Sequence, residues 1–150
     1  MRRELREVIA DWLLLFGAVA LLVSLFLPWS HQFSAAFLAQ WGSTGALRGL
    51  PRDPTAWQIY SVVDVGFAVL VVGLLLVALI GGRVRRLLVF AVSLVALAFT
   101  VHAESVPPTK GALLFAAGVT NAPRAAAGET VAMAALSAAI IALGLSFTAE

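Results

Sequence analysis

The sequence predicts an all-α membrane protein: a four-transmembrane-helix bundle with both termini inside and two longer external loops carrying short interfacial helices. Three observations predict it. Hydrophobic residues make up 61% of the 150 and charged residues 12%, against roughly 45–50% and about 25% in soluble domains. The excess falls in four blocks of near-membrane length, and the connections between blocks differ in Lys and Arg density. A soluble chain this short needs more polar surface than this one carries. The whole chain, 1–150, reads as one integral membrane domain.

A transmembrane helix needs about 20 mostly apolar residues. The first block, 12–29, runs from Trp12 to Trp29 with Ser24 as its one polar side chain. The second, 59–80, is introduced by Trp57 and Tyr60 and interrupted by Ser61 and Asp64. The third, 87–103, is uncharged up to His102, and the alanine-rich fourth is 130–147. Trp12, Trp29, Trp57 and Tyr60 are the expected interface anchors, because amphipathic rings favour the headgroup level. The first block is expected to be a retained anchor rather than a cleaved signal. It is longer than a usual h-region, and Glu4, Glu7 and Asp11 dilute the positive start.

Orientation follows from the basic residues. Arg2, Arg3 and Arg6 precede the first span, and Arg83, Arg85 and Arg86 crowd the turn after Gly81-Gly82. Arg48, Arg52, Lys110 and Arg124 are spread over two much longer loops. The denser side is expected inside. Glycines at 81 and 82 permit the positive φ of a tight turn, which makes the second and third spans antiparallel neighbours. In the first loop, Phe33, Phe37, Leu38 and Trp41 share a helical face, which predicts a short helix at about 33–41. The second loop, after Pro107-Pro108, holds an apolar stretch 111–119 that is too short to cross; a lid on the bundle is expected, with a re-entrant segment as the alternative. Glu129 then sits favourably in the first turn of the last span.

Helices associate in lipid through close packing of small residues. Ala134, Ala138 and Ala142 repeat every four residues, with Ala135 and Ala139 beside them, and Gly66 and Gly73 lie seven apart in the second span. These predict a helix-packing seam, or less readily a homodimer face. No internal repeat relates the halves.

Asp64 is the main candidate for chemistry, with Ser61, Thr100 and His102 completing a candidate intramembrane polar site. In a continuous second helix Asp64 would lie ~10 Å below the interface, on one face with Trp57, Ser61 and Ala68. It reads either as a protonatable group on an ion pathway or as a structural clasp bonded to an indole, a hydroxyl or His102. His31, His102, Asp64 and Glu104 have no metal-motif spacing. No nucleophile with a base, no phosphate loop and no paired carboxylates at helical spacing are present, so no enzyme is expected. Zero cysteines remove disulfides and thiolate sites. No cofactor is expected, and a net charge of +2 without a basic stripe excludes nucleic acid.

Phe26-Leu27-Pro28-Trp29 at the end of the first span, followed by Ala56-Trp57 and Val62-Val63-Asp64-Val65, resembles small four-span proteins of high-GC Gram-positive (actinobacterial) type. The resemblance covers the first half of the chain by motif and the second by hydropathy. It implies a bacterial plasma (inner) membrane location and no particular activity. The topology alone is similar to that of claudins, without their external Trp-Gly-Leu-Trp and cysteine pattern, and topology does not carry function. The expected function is a non-enzymatic structural or accessory subunit that contacts membrane lipid, a membrane-protein partner or a second copy. The alternative is a small homo-oligomeric ion or proton conductor using Asp64.

Overall fold

A computed structural model describes residues 3–45, 47–60, 62–106 and 124–147. In chain order these form α1 (Arg3–Ser24), β1 (Ser30–His31), α2 (Ala35–Trp41), α3 (Ala56–Ile59), α4 (Val63–Ile80), α5 (Arg83–Ser105), β2 (Arg124–Ala125) and α6 (Ala127–Phe147). Four of these helices, α1, α4, α5 and α6, are long and apolar enough to cross a membrane. They pack as a ring in which α1 touches α4 and α6, and α5 touches α4 and α6.

The most extensive interface joins α1 to α6. On α1 the buried positions Ala10, Leu14, Ala18 and Leu21 recur every three or four residues, the spacing of one helical face. Val8, Trp12, Phe16, Val19 and Val23 occupy the other face and are exposed, as befits side chains solvated by lipid. The matching face of α6 is Ala132, Ala135, Leu136, Ala139, Ala142 and Leu143. Gly17 meets it so closely that a Cβ there would lie 3.0 Å from the Ala135 carbonyl oxygen and 3.4 Å from the Ala139 Cβ.

The seam is therefore rotated by about one residue from the expected one. Ala142 is in it, Ala138 is half-buried and Ala134 is exposed. The cause is composition: α6 has alanine on several faces, so small-residue spacing alone cannot select among them. Gly73 packs against Val89 of α5, leaving a Cβ only 3.3 Å of room, whereas Gly66 faces open space. Gly66 lines an apolar groove of about 260 Å³ between α4 and α5, with Phe67, Leu70 and Phe99 among its walls. Those two helices are joined by Gly81 and Gly82, both at positive φ (69° and 106°), a conformation that side chains with a Cβ resist.

Helix boundaries differ from the expected spans where the chain turns without becoming polar. The first helix begins at Arg3 and ends at Ser24, well before Trp29. The second block is split: α3 stops at Ile59, Tyr60 is extended (φ −117°, ψ 108°), and α4 begins only at Val63. The third helix extends past the expected 87–103 at both ends, and the fourth starts at Ala127 rather than 130. In the first connection α2 is capped by the Ser34 side chain, which accepts from the Phe37 N–H at 3.2 Å. Phe33, Phe37 and Leu47 form a small core of their own there. The expected lid at 111–119 lies outside the described residues.

Overpacking a close seam costs about 1–3 kcal/mol or more. Ala139→Phe is therefore expected to lower the unfolding midpoint in detergent clearly, and Ala134→Phe to leave it near that of the parent. Thermal unfolding of the two variants side by side checks this; equal tolerance would reject the seam.

Candidate functional site

The end of the bundle away from the Gly81-Gly82 turn is closed by Trp29. After Ser24 the helix unwinds through tight bonds from Leu25, Phe26 and Leu27 N–H groups to the carbonyls of Leu22, Val23 and Ser24 (3.0–3.2 Å). Pro28, which has no N–H to donate, ends the helical pattern. The chain then turns back, so the Trp29 indole lies fully buried on the bundle. Its Nε1–H donates to the Ser24 carbonyl at 2.8 Å, one of the carbonyls a helix end leaves without a partner.

Two separated stretches are bonded to this corner by three backbone bonds. The Trp29 N–H donates to the Pro54 carbonyl (2.9 Å), the Ala126 N–H to the Trp29 carbonyl (3.3 Å) and the Gly128 N–H to the Pro28 carbonyl (2.7 Å). Beside them β1 and β2 pair antiparallel, Ser30 with Ala125 and His31 with Arg124. Gly128 has to be glycine: a Cβ would overlap the indole ring and come within 2.7 Å of the Pro28 oxygen.

Beneath the indole lies a layer of aromatic and acidic side chains. Trp29 meets Tyr60 (6.0 Å between centroids) and Phe67 (5.7 Å) edge-on, and Tyr60 meets Phe99 (5.3 Å). Asp64, in the first turn of α4, is 1% exposed, and Glu129, in the first turn of α6, is 0% exposed. Neither carboxyl has a hydrogen-bond partner among the described residues. The Ala126 N–H faces Glu129 but is directed to the Trp29 carbonyl. Both acids sit at helix N-termini, whose partial positive charge offsets part of the cost of an anion. Glu104, exposed near the end of α5, acts on Glu129 as a like charge.

Tyr60 senses both acids. Burial, then the charge of Glu129, then that of Asp64, push its phenol up to about 12 from the ordinary 10.0. Its phenol thus keeps its proton through the neutral range.

Of the expected polar site, Asp64 and Thr100 are buried in the bundle, but the expected clasp is not made. The Thr100 hydroxyl donates to the Ala96 carbonyl of its own helix at 2.8 Å, the indole is committed to Ser24, and His102 is exposed on α5. Ser61 lies outside the described residues. The break at Tyr60 also removes the shared Trp57–Ser61–Asp64–Ala68 face, because no helix runs through 57–68. Among the anchors, Trp12 and Trp57 are exposed, Trp57 pairing with Phe26 at 6.3 Å. Trp29 and Tyr60 instead face inward, because the chain doubles back at Pro28 and unwinds at Tyr60. Glu129 was recognisable only as a first-turn acid; its burial comes from the indole and loop folded over it. Among the described residues, no three of His, Asp and Glu gather where a metal ion could be held. The carboxyl groups of the layer can take up and release protons.

The chain has one tyrosine, so its ultraviolet absorbance titration reads this site directly. The midpoint is expected near 12, and Glu129→Gln should lower it only in part, because burial, the larger cause, remains. Because the folded phenol holds its proton longer than the unfolded one, stability is expected to be intact below pH 10 and to fall as pH rises from 10 through 12. Gly128→Ala should displace the indole, seen as a red-shifted tryptophan emission and a clear loss of thermal stability; an unchanged spectrum would reject the close approach. Compared with known proteins, the chain matches no family model, no curated protein and no solved structure.

Proposed function

We propose that this is a non-enzymatic, multi-pass membrane protein of a bacterial plasma membrane, acting as a structural or accessory subunit. One observation carries the reading: three backbone bonds from two distant stretches of chain, one at Pro54 and one at Ala126 and Gly128, converge on Pro28 and Trp29. They make the capped end a shaped polar face held by the bundle instead of a set of free connections. Such a face suits contact with lipid, envelope components, a membrane-protein partner or a second copy. In this reading the capped end faces outward and both termini inward, since Arg6, Arg83, Arg85 and Arg86 gather at the opposite end, where dense basic residues favour the cytoplasm.

A second reading, a homo-oligomeric proton or cation conductor built on Asp64, draws support from the two carboxyl groups without partners. Conduction needs polar groups through the whole depth. Beyond Asp64, α4 carries no polar side chain as far as Ile80. Among the described residues, the buried hydroxyls nearer the turn end are Ser93, and Ser146, which donates to the Leu143 carbonyl of its own helix. That favours the accessory reading.

Liposomes holding the purified protein are expected to show no proton or potassium flux above protein-free vesicles. Reproducible flux that Asp64→Asn abolishes would overturn the reading in favour of the conductor. For orientation, Ser43→Cys should react with an impermeant maleimide on intact cells and Arg85→Cys should not; labelling at 85 would invert the topology.

A further inference from the structure

Beside the buried layer, the capped end carries an open cleft of about 450 Å³ whose walls include His31, Phe33, Leu38, Arg52, Asp53 and Arg124. The size is that of a small-molecule site. Its basic residues are fixed by backbone. Arg124 stands opposite His31 in the β1–β2 pair, and the Arg52 carbonyl accepts from the Gln32 N–H at 2.9 Å. The two arginines thus flank one strand from either side.

The acid in the cleft is already engaged: Asp53 Oδ1 lies 2.6 Å from His31 Nδ1. Neither Arg52 nor Arg124 has a carboxylate partner among the described residues. Planar guanidinium forks match phosphate oxygens in pairs. On the other wall half-buried Leu38 offers apolar surface, and the edge of Phe33, otherwise buried and stacked on Phe37 at 5.4 Å, closes the floor. The cleft also adjoins the membrane level. His31 follows Phe26 by five positions and Asp53 precedes Trp57 by four, and Phe26 and Trp57 form an exposed ring pair of the kind found at the headgroup boundary.

We propose that this cleft binds the phosphodiester headgroup of an anionic phospholipid, with Arg52 and Arg124 on the phosphate and Phe33 and Leu38 against its glycerol and upper acyl carbons. A zwitterionic choline headgroup fits less well, because Asp53, the one counter-charge in the cleft for its quaternary ammonium, is already engaged by His31. The inference deepens the reading of the capped end as a contact face, yet it needs neither a protein partner nor a particular orientation. Ion flux in the liposomes or failure of the labelling pattern therefore leaves its test unchanged.

The test is the thermal midpoint of the purified full chain in neutral detergent, with added phosphatidylglycerol, phosphatidylcholine or inorganic phosphate. Phosphatidylglycerol is expected to raise the midpoint by roughly 5 °C, and phosphatidylcholine by less than half as much. The double variant Arg52→Gln, Arg124→Gln should unfold at the parental temperature without lipid and lose the preference. Arg48→Gln, an exposed arginine that does not line the cleft, should keep it. Equal response to both lipids, or a preference retained in the double variant, would overturn the proposal. A full-sized shift from 10 mM inorganic phosphate alone would equally overturn it, and assign the cleft to a free anion.

Discussion

The structure depends on the burial of one indole at the place where α1 stops being a helix. A tryptophan ring is large enough to close the end of a four-helix ring, but its N–H has to be satisfied there. The Ser24 carbonyl, freed by the helix end, supplies the acceptor at 2.8 Å. Fixing the ring fixes the backbone of Pro28 and Trp29, and their polar groups then serve Pro54, Ala126 and Gly128. The two-stranded pair, the placement of the first connection and the start of α6 all follow from that corner. The ring leaves no room for a Cβ at position 128, so the identity of the residue before Glu129 is set by the same contact.

The cap also creates the electrostatic oddity below it. Two acids at the N-termini of α4 and α6 would be ordinary first-turn residues if water reached them. Covered by Trp29 and Tyr60, they are cut off from solvent and keep only their helix ends and the nearby phenol as compensation. A clasp would have given each carboxyl a donor from a neighbouring helix. Instead the available donors, the Trp29 indole and the Thr100 hydroxyl, bond to carbonyls of α1 and α5. Among the described residues both carboxyls are thus left without a donor.

The four helices were legible because apolar blocks and the Gly81-Gly82 turn are one-dimensional signals, and Asp64 stood out as a charge inside such a block. What escaped the sequence depends on chain direction. Hydropathy runs unbroken through Leu25–Leu27 and through Tyr60, so the end of α1 and the gap before α4 left no trace in it, and Trp29 read as an interface anchor. The face of α6 that meets Gly17 was ambiguous because alanine surrounds that helix. Glu129 was visible as a helix-start acid, but its burial is a tertiary effect of residues 100 positions away in the chain (129 − 29). The partnership of Asp64 with His102 failed because depth alone does not fix the direction in which a side chain on α5 points.

The α1–α6 seam joins two helices separated by more than 100 residues of chain. At roughly 5–20 residues per second, the ribosome delivers α6 on the order of 5–20 s after α1 is in the membrane. Throughout that interval Gly17 and its stripe have only lipid to face, the Trp29 corner lacks its Gly128 neighbour, and Asp64 lies at the end of an unfinished ring. Assembly is thus ordered by synthesis itself, and it ends with a single docking event that completes the seam, the strand pair and the cap together. A chain truncated before Ala127 would keep three of the four described long helices and no closed ring, with the face around Gly17 left open to another helix.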